Sequence, residues 1–152
     1  APFRSVMVTG PFLSEPARYR LAERLGRLGQ PVAVRSFVTD MEELLRRATG
    51  VVSMAGYNTV MEEISARVPA LLVPRESPRR EQAIRAERLA SRADLEPCPA
   101  GPATPARIDR FVRRVLTEGR AREPSLRLDG LEVAASAIGE LLFRGAHARR
   151  AG

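Results

Sequence analysis

Short apolar runs alternate with amphipathic helical runs along this chain, and this alternation constrains the fold more than any other feature of the sequence. Most of the apolar runs are nearly continuous and end at a Gly, Pro or Ser. Continuous apolar strands separated by helices are typical of a parallel sheet that is covered on both faces. The sequence therefore predicts an α/β fold with a Rossmann-like parallel sheet and helices on both faces.

Five strands and six helices are predicted from the periodicity of the apolar residues. The strands are 5–9, 31–35, 50–54, 69–73 and 94–97, and the helices are 16–28, 41–48, 58–67, 79–92, 106–118 and 130–143. We expect Asp40 to cap the second helix. The residues of the last helix that we expect to face the core are Leu131, Ala134, Ala135, Ile138, Leu141 and Leu142. With 152 residues, the chain is expected to form one domain over 1–152, with a loose tail at 144–152.

All 25 basic residues of the chain are Arg, and the net charge is +7. A genome rich in Arg codons would produce this composition, and so would a basic face for phosphate, nucleic acid or an anionic membrane. The Arg residues recur on nearly every helix rather than in one block. Five Phe, two Tyr and no Trp leave few platforms for base stacking. We therefore expect no nucleic-acid partner.

The chain contains one cysteine, Cys98, and one histidine, His147. One Cys excludes an internal disulfide framework and fits a reducing compartment, so the predicted location is cytoplasmic. One His near the chain end argues against His-based metal sites and His-driven acid–base chemistry. The chain also starts directly in a predicted core strand, from which we expect a domain cut from a longer protein.

Ligands of open parallel sheets bind at the carboxyl ends of the strands, which directs attention to the loops that follow the strands. The loop after the third strand is the most informative. Ala55 and Gly56 are small enough for a ligand to approach the backbone, and Asn58 or Thr59 could cap the next helix. Free N–H groups at a helix start suit a diphosphate. The whole loop consists of Met54, Ala55, Gly56, Tyr57, Asn58 and Thr59.

One turn into the helix after this loop stand two acids, Glu62 and Glu63. A carboxylate here could accept two hydrogen bonds from a ribose diol. Adjacent helical residues point about 100° apart, so only one of the two can face the loop. The alternative interpretation is a small-residue turn whose first-turn acids favour the helix dipole.

Two further loops carry side chains suited to a nucleotide sugar. After the fourth strand, Arg75 and the helix-start pair Glu81 and Gln82 could meet a sugar hydroxyl or a phosphate. The alternative is a solvated helix start with an ion pair between Glu81 and Arg85.

After the second strand, Phe37 and Val38 could hold a base, apolar on one side and paired to the main chain. The alternative there is a buried Phe in a strand-to-helix connection. The first loop contains neither GxGxxG nor GxxxxGK[ST], which excludes both common phosphate-loop motifs.

These segments together resemble the C-terminal domain of glycosyltransferase family 28. The resemblance rests on Phe-Val-x-Asp-Met at 37–41, on VVSMAGYNTVME at 51–62, on PALLVP at 69–74 and on Arg-Glu-Gln at 80–82. The spacings between Gly56, Thr59, Glu62, Pro69 and Gln82 fit the family. The resemblance implies that the chain is the C-terminal half of a GT-B fold, in which a separate N-terminal domain supplies the acceptor site and usually the general base.

The resemblance implies a role for each matching residue. It implies that Glu62, and not Glu63, holds the ribose hydroxyls, and that Phe37 and the backbone of Val38 frame a uracil. Ala55 and Gly56 would lie beside the diphosphate.

Glu81 and Gln82 would lie near the donor sugar, where the family often has Gln-Gln. In the first loop the family's Gly-Gly-Ser is replaced by Thr9-Gly10-Pro11, so Thr9 and Gly10 are only a candidate phosphate loop, and Pro11 removes one N–H.

The predicted function is to bind the donor of a glycosyltransferase that moves a hexosyl group from a uridine nucleotide sugar to an unknown acceptor. We expect no cofactor and no metal, catalytic residues on the N-terminal domain, and no turnover by this chain alone. The expected partners are the nucleotide sugar, the enzyme's own N-terminal domain and, through that other half, a membrane surface. The alternatives are a nucleotide-sugar epimerase or hydrolase, a non-catalytic nucleotide-binding module, and a nucleic-acid-binding α/β domain.

Overall fold

The computed structural model describes residues 3–29, 31–75, 77–90, 92–119, 126 and 128–148, with the backbone alone over 142–148. The chain forms two compact units, one up to Leu44 and one from Leu45 onward. No helix in the described ranges is both long enough and apolar enough to cross a membrane.

Every predicted strand and helix is present in the predicted order, with bounds that differ by a few residues. The elements are β1 (Ser5–Val8), α1 (Glu15–Gly26), β2 (Val32–Arg35), α2 (Met41–Arg47), β3 (Val51–Ser53), α3 (Tyr57–Ser65), β4 (Ala70–Leu72), α4 (Glu81–Leu89), β5 (Leu95–Pro97), α5 (Thr104–Glu118) and α6 (Gly130–Ala148). The predicted cap of α2 is confirmed, because the backbone N–H of Glu43 donates to Oδ1 of Asp40 at 2.8 Å.

The strands pair in parallel, as predicted, but their hydrogen bonds form two sheets rather than one. In the first unit β1 pairs with β2, with Ser5 opposite Val32. In the second unit the order is β3-β4-β5, and Ala70 of the central strand lies opposite Val51 on one side and Leu95 on the other. The α/β class with parallel strands is confirmed. Periodicity identifies strands but does not say which of them share a ladder, so the single predicted sheet was wrong.

The central strand β4 is buried on both of its faces. Ala70 and Leu72 pack in one cluster with residues of α3 and α4, whereas Leu71 packs in a second cluster with Cys98 and with Phe111 of α5. Alternate residues of a strand point to opposite faces, so these clusters lie on the two sides of the sheet. The three-stranded sheet of the second unit therefore carries helices on both faces, as predicted.

The last helix departs from its prediction in two ways. Its apolar residues Leu131, Ile138 and Leu141 are exposed, Leu131 by 81%, instead of facing the core. Ala134 and Ala135 are exposed as well. The helix also continues to Ala148, so residues 144–148 are helical rather than a loose tail. An apolar stripe predicts that one face of a helix packs against another surface. It does not show that residues of this chain provide that surface. The side chain of Leu142 and residues 149–152 lie outside what the structure describes.

Candidate functional site

The candidate site of the second unit lies at the carboxyl ends of β3 and β4. These strands are neighbours and parallel, so the loops that follow them leave the sheet at the same edge. The loop after β3 enters α3, and the loop after β4 enters α4. This edge thus brings together the two segments that the sequence singled out for a diphosphate and a donor sugar.

The turn after β3 has an unusual backbone. Ala55 is fully buried and has a φ of +59°, in the left-handed region that residues other than glycine rarely adopt. Gly56 is the N-cap of α3, and no side chain caps the helix. The predicted cap at Asn58 or Thr59 is therefore wrong, because the helix begins earlier, at Tyr57. A cap position is set by backbone torsions, which composition does not reveal.

An uncapped helix start leaves backbone donors without acceptors. The first hydrogen bond of α3 runs from the N–H of Val60 to the carbonyl of Gly56 at 3.0 Å. The N–H groups of Tyr57, Asn58 and Thr59 precede it and so have no partner within the helix. Arg80, the N-cap of α4, likewise makes no side-chain cap. In the part of the chain that the structure describes, two helix starts without a side-chain cap therefore stand at the same edge of the sheet, an arrangement suited to anionic ligands.

The two acids of α3 have opposite environments. The side chain of Glu62 is exposed, whereas Glu63 has no exposed surface. Within the described chain no atom makes a hydrogen bond to either carboxyl oxygen of Glu63, and the Ser53 hydroxyl is likewise buried without a partner. Burial raises the pKa of Glu63 from 4.5 to about 7, while nearby Ser53 lowers it and the charge of Glu62 raises it. Only Glu62 is open to a ligand, and its ribose role stays a prediction.

The start of α4 is tied back to the loop before it. The backbone N–H of Arg75 donates to Oε1 of Gln82 at 2.9 Å. The amide nitrogen of Gln82 keeps its two donors for another partner. Glu81 is exposed. The contacts seen in the described ranges include no ion pair between Glu81 and Arg85, so the alternative interpretation of this helix start is wrong in that respect.

Arg85 instead reaches the turn after β3, and this residue was missed as part of the site. Its Nη1 donates to the carbonyl oxygen of Ala55 at 2.8 Å, and its guanidinium carbon lies 5.6 Å from the centre of the Tyr57 ring. Helical spacing links Arg85 only to residues of its own helix. No signal in the sequence points to a partner thirty residues earlier.

The remaining predicted site residues lie in the first unit. Phe37 is 66% exposed, so its alternative interpretation as a buried connector is wrong, and Val38 is half-buried. The N–H of Thr9 donates to the carbonyl of Arg35 at 2.9 Å. The Thr9 hydroxyl lies 3.3 Å from the carbonyl oxygens of both Gly10 and Arg35. Both donors of Thr9 thus have acceptors inside this unit, and the candidate phosphate loop stays a prediction.

The exposed side chains around the turn after β3 include Met54, Tyr57 and Asn58. They surround the buried Ala55 at the surface of the second unit. Among the residues that the structure describes, no group of three or more His, Cys, Asp or Glu is arranged to hold a metal ion.

This arrangement defines an α/β domain of the class that binds its ligands at the carboxyl ends of parallel strands. The model of the glycosyltransferase family 28 C-terminal domain matches residues 4–129. The chain belongs to this family, and the resemblance seen in its motifs is confirmed.

Individual relatives are similar over a shorter stretch. The UDP-N-acetylglucosamine–N-acetylmuramyl-(pentapeptide) pyrophosphoryl-undecaprenol N-acetylglucosamine transferase of Listeria monocytogenes is 38% identical over 72 residues, which are 47% of this chain and 19% of that protein. The protein of the same name from Listeria welshimeri is 36% identical over 72 residues. The matched stretch thus spans about a fifth of the length of these relatives.

Among solved structures, the glycotransferase of kitacinnamycin aligns with 76% of this chain and 40% of its own chain, at a TM-score of 0.44 and 15% sequence identity.

Proposed function

We propose that this chain binds the nucleotide-sugar donor of a glycosyltransferase, a uridine diphosphate hexose. The observation that carries the proposal is the pair of uncapped helix starts at neighbouring strand ends, in a chain that belongs to family 28. Its relatives named after UDP-N-acetylglucosamine support the uridine diphosphate part.

The diphosphate lies at the start of α3. There the free N–H groups of Tyr57, Asn58 and Thr59 and the positive end of the helix dipole offset the charge on the leaving diphosphate. Charge stabilisation by fixed backbone dipoles requires no metal, so we propose that transfer is metal-independent. Unchanged activity in the presence of EDTA is the expected result, and activity that returns only with a divalent cation would contradict this proposal.

The ribose is held by Glu62, whose exposed carboxylate stands one turn inside α3. A carboxylate can accept from both hydroxyls of a ribose diol, and hydrogen bonds to a charged group contribute about 1.5–3 kcal/mol each. In the second unit, Glu81 and Gln82 are the proposed contacts of the donor sugar. In the first unit, Phe37 and the backbone of Val38 are the proposed contacts of a uracil. Arg75, exposed in the loop before α4, contributes positive charge near the phosphates.

The acceptor and the general base belong to another domain of the complete enzyme, which works in the cytoplasm, in contact with a membrane surface through that other domain. This chain alone binds the donor and does not turn it over. Products identify the reaction: glycosyl transfer supports the proposal, whereas free sugar or an epimerised donor indicates a hydrolase or an epimerase. Nucleotide binding without any product from the complete protein indicates a binding module.

Binding is tested by calorimetry with UDP and with a series of UDP-sugars, using Glu62→Ala and a matched control, Glu87→Ala. Glu87 is an exposed glutamate of α4 outside the proposed site, and its removal changes the net charge equally. We expect Glu62→Ala to weaken UDP binding at least about tenfold, which corresponds to roughly 1.4 kcal/mol, and Glu87→Ala to leave it unchanged. Equal affinities of the two variants would remove Glu62 from the ribose site.

A further inference from the structure

Arg85 connects the two helices of the candidate site. It leaves α4 one turn after Gln82, and its guanidinium reaches the turn after β3. There it donates from Nη1 to the carbonyl oxygen of Ala55 at 2.8 Å and lies over the Tyr57 ring at 5.6 Å. One side chain thus contacts both the residue before the N-cap of α3 and the first residue of that helix.

Arg85 does not form the ion pair that its position on α4 favours. Glu81 stands four residues earlier on the same helix, at the spacing of a surface ion pair, yet no acidic side chain in the described ranges pairs with Arg85. The guanidinium instead makes a charge-assisted hydrogen bond to a backbone carbonyl. That carbonyl belongs to a buried alanine in the left-handed region, a conformation that persists only when its surroundings hold it.

We infer that Arg85 is a positioning residue for diphosphate binding, an inference that rests on the proposed function. The carbonyl of Ala55 and the N–H of Gly56 belong to one planar trans peptide and point in opposite directions. When Arg85 fixes the carbonyl, it fixes the direction of the Gly56 N–H and the entry of the chain into α3. The free N–H groups of the first turn are thereby held where a diphosphate needs them before the ligand arrives.

The inference separates the phosphates from the nucleoside. Arg85 orders the donors that meet the diphosphate, whereas the ribose of uridine is held by Glu62. Loss of Arg85 should therefore weaken binding of UDP and leave binding of uridine nearly unchanged. A residue that only stabilised the fold would weaken both ligands or neither.

The experiment uses the protein in its complete natural form and measures dissociation constants for UDP and for uridine. Arg85→Gln removes the charge and shortens the side chain. Arg88→Gln is the matched control, because Arg88 is an exposed Arg of the same helix and its substitution changes the net charge equally. We expect Arg85→Gln to weaken UDP binding at least tenfold and uridine binding less than twofold, and Arg88→Gln to change neither.

Arg85→Lys adds a graded readout. A lysine keeps the charge and one donor for the Ala55 carbonyl but lacks the planar group that lies on Tyr57. We expect its affinity for UDP to fall between those of the wild type and Arg85→Gln.

Equal affinities for UDP in Arg85→Gln, Arg85→Lys and Arg88→Gln would overturn the positioning role, as would an equal loss of UDP and uridine. A wild-type protein that binds neither ligand would overturn the proposed function itself, and the inference with it.

Discussion

Glu62 and Glu63 are adjacent on α3, yet the side chain of Glu62 is exposed and that of Glu63 has no exposed surface. The two residues have the same side chain and neighbouring positions, but the structure gives their carboxylates different environments. Glu62 is open to a ligand. Glu63 is a buried acid without a hydrogen-bond partner in the described chain, and burial raises its pKa to about 7.

The buried Glu63 should make the stability of the chain depend on pH. Between pH 4.5 and about 7 the unfolded chain has lost this proton while the folded chain keeps it, so the free energy of unfolding falls as the pH rises. The full difference corresponds to roughly 3 kcal/mol. Glu63→Gln, which resembles the protonated acid, should be more stable than the wild type at pH 8 and similar to it at pH 5, as measured by urea unfolding.

Glu62→Gln is the control for this prediction, since it removes the same charge from an exposed neighbour. Its stability relative to the wild type should change little between the two pH values. If the difference in stability between Glu63→Gln and the wild type is the same at pH 5 and at pH 8, the pKa of Glu63 is not raised by its burial.

Gly50, directly before β3, lies against α5. A Cβ added there would stand 3.0 Å from Cγ2 of Val115 and 3.2 Å from ring atoms of Phe111, closer than packed side chains normally approach. Because Phe111 and Val115 are buried, neither can move away freely. Gly50→Ala should lower the free energy of unfolding by about 1–3 kcal/mol. Gly101→Ala, where an added Cβ meets nothing within 4 Å, should change it far less, and thermal unfolding of the two variants measures both effects.

Arg114 of α5 binds two acids of the β5 region. Its Nη2 lies 3.0 Å from Oδ1 of Asp94 and 2.7 Å from Oε1 of Glu96, and its side chain is 25% exposed. Arg114→Met keeps the apolar stem but leaves these two acids facing each other without a cation, so we expect a loss of about 1–2 kcal/mol.

The neighbouring Arg113 provides the comparison for Arg114. It pairs with Asp109 at 2.9 Å, but its side chain is 78% exposed. Arg113→Met should change the free energy of unfolding far less than Arg114→Met when both variants are compared by urea unfolding. A loss from Arg113→Met as large as that from Arg114→Met would show that burial does not set the strength of these pairs.

One substitution can separate the observed hydrogen bond of Gln82 from its proposed sugar contact. Its Oε1 accepts from the N–H of Arg75, and its amide nitrogen is the group that we propose to donate to a sugar. Gln82→Glu keeps the acceptor and loses the donors. We expect unchanged stability and unchanged affinity for UDP, with at least about fivefold weaker binding of the preferred UDP-sugar, a cost of about 1 kcal/mol for one lost hydrogen bond. Gln82→Leu should also lower the melting temperature, and UDP-sugar binding unaffected by Gln82→Glu would place the sugar elsewhere.

The order and type of the elements could be predicted because apolar periodicity reflects which faces are buried, and the continuous apolar run of β4 is buried on both faces. The pattern gave the wrong burial for α6, where Leu131 and Ile138 are exposed. A stripe of apolar residues does not show which surface covers it. Pairing of the strands into two sheets was likewise beyond the pattern, because ladders join residues that are far apart in sequence.

For the site, spacing identified Gly56 and Glu62 as residues of one helix start, and the family match supports the domain that contains them. The left-handed backbone of Ala55 and the hydrogen bond from Arg85 were not predictable. The first depends on a torsion angle that alanine seldom adopts, and the second joins a residue of α4 to the turn after β3 through a long side chain. Spacing within one helix favoured the wrong partner, Glu81.

Cys98, the only cysteine, is fully buried beside β4, where its N–H donates to the carbonyl of Leu72 at 2.8 Å. A thiol reagent can reach this sulfur only when the sheet edge opens, so the rate of labelling counts opening events rather than surface collisions. The labelling rate of Cys98 therefore measures local opening of the three-stranded sheet, and slower labelling on addition of a nucleotide would show, without any engineered probe, that the ligand stabilises this sheet.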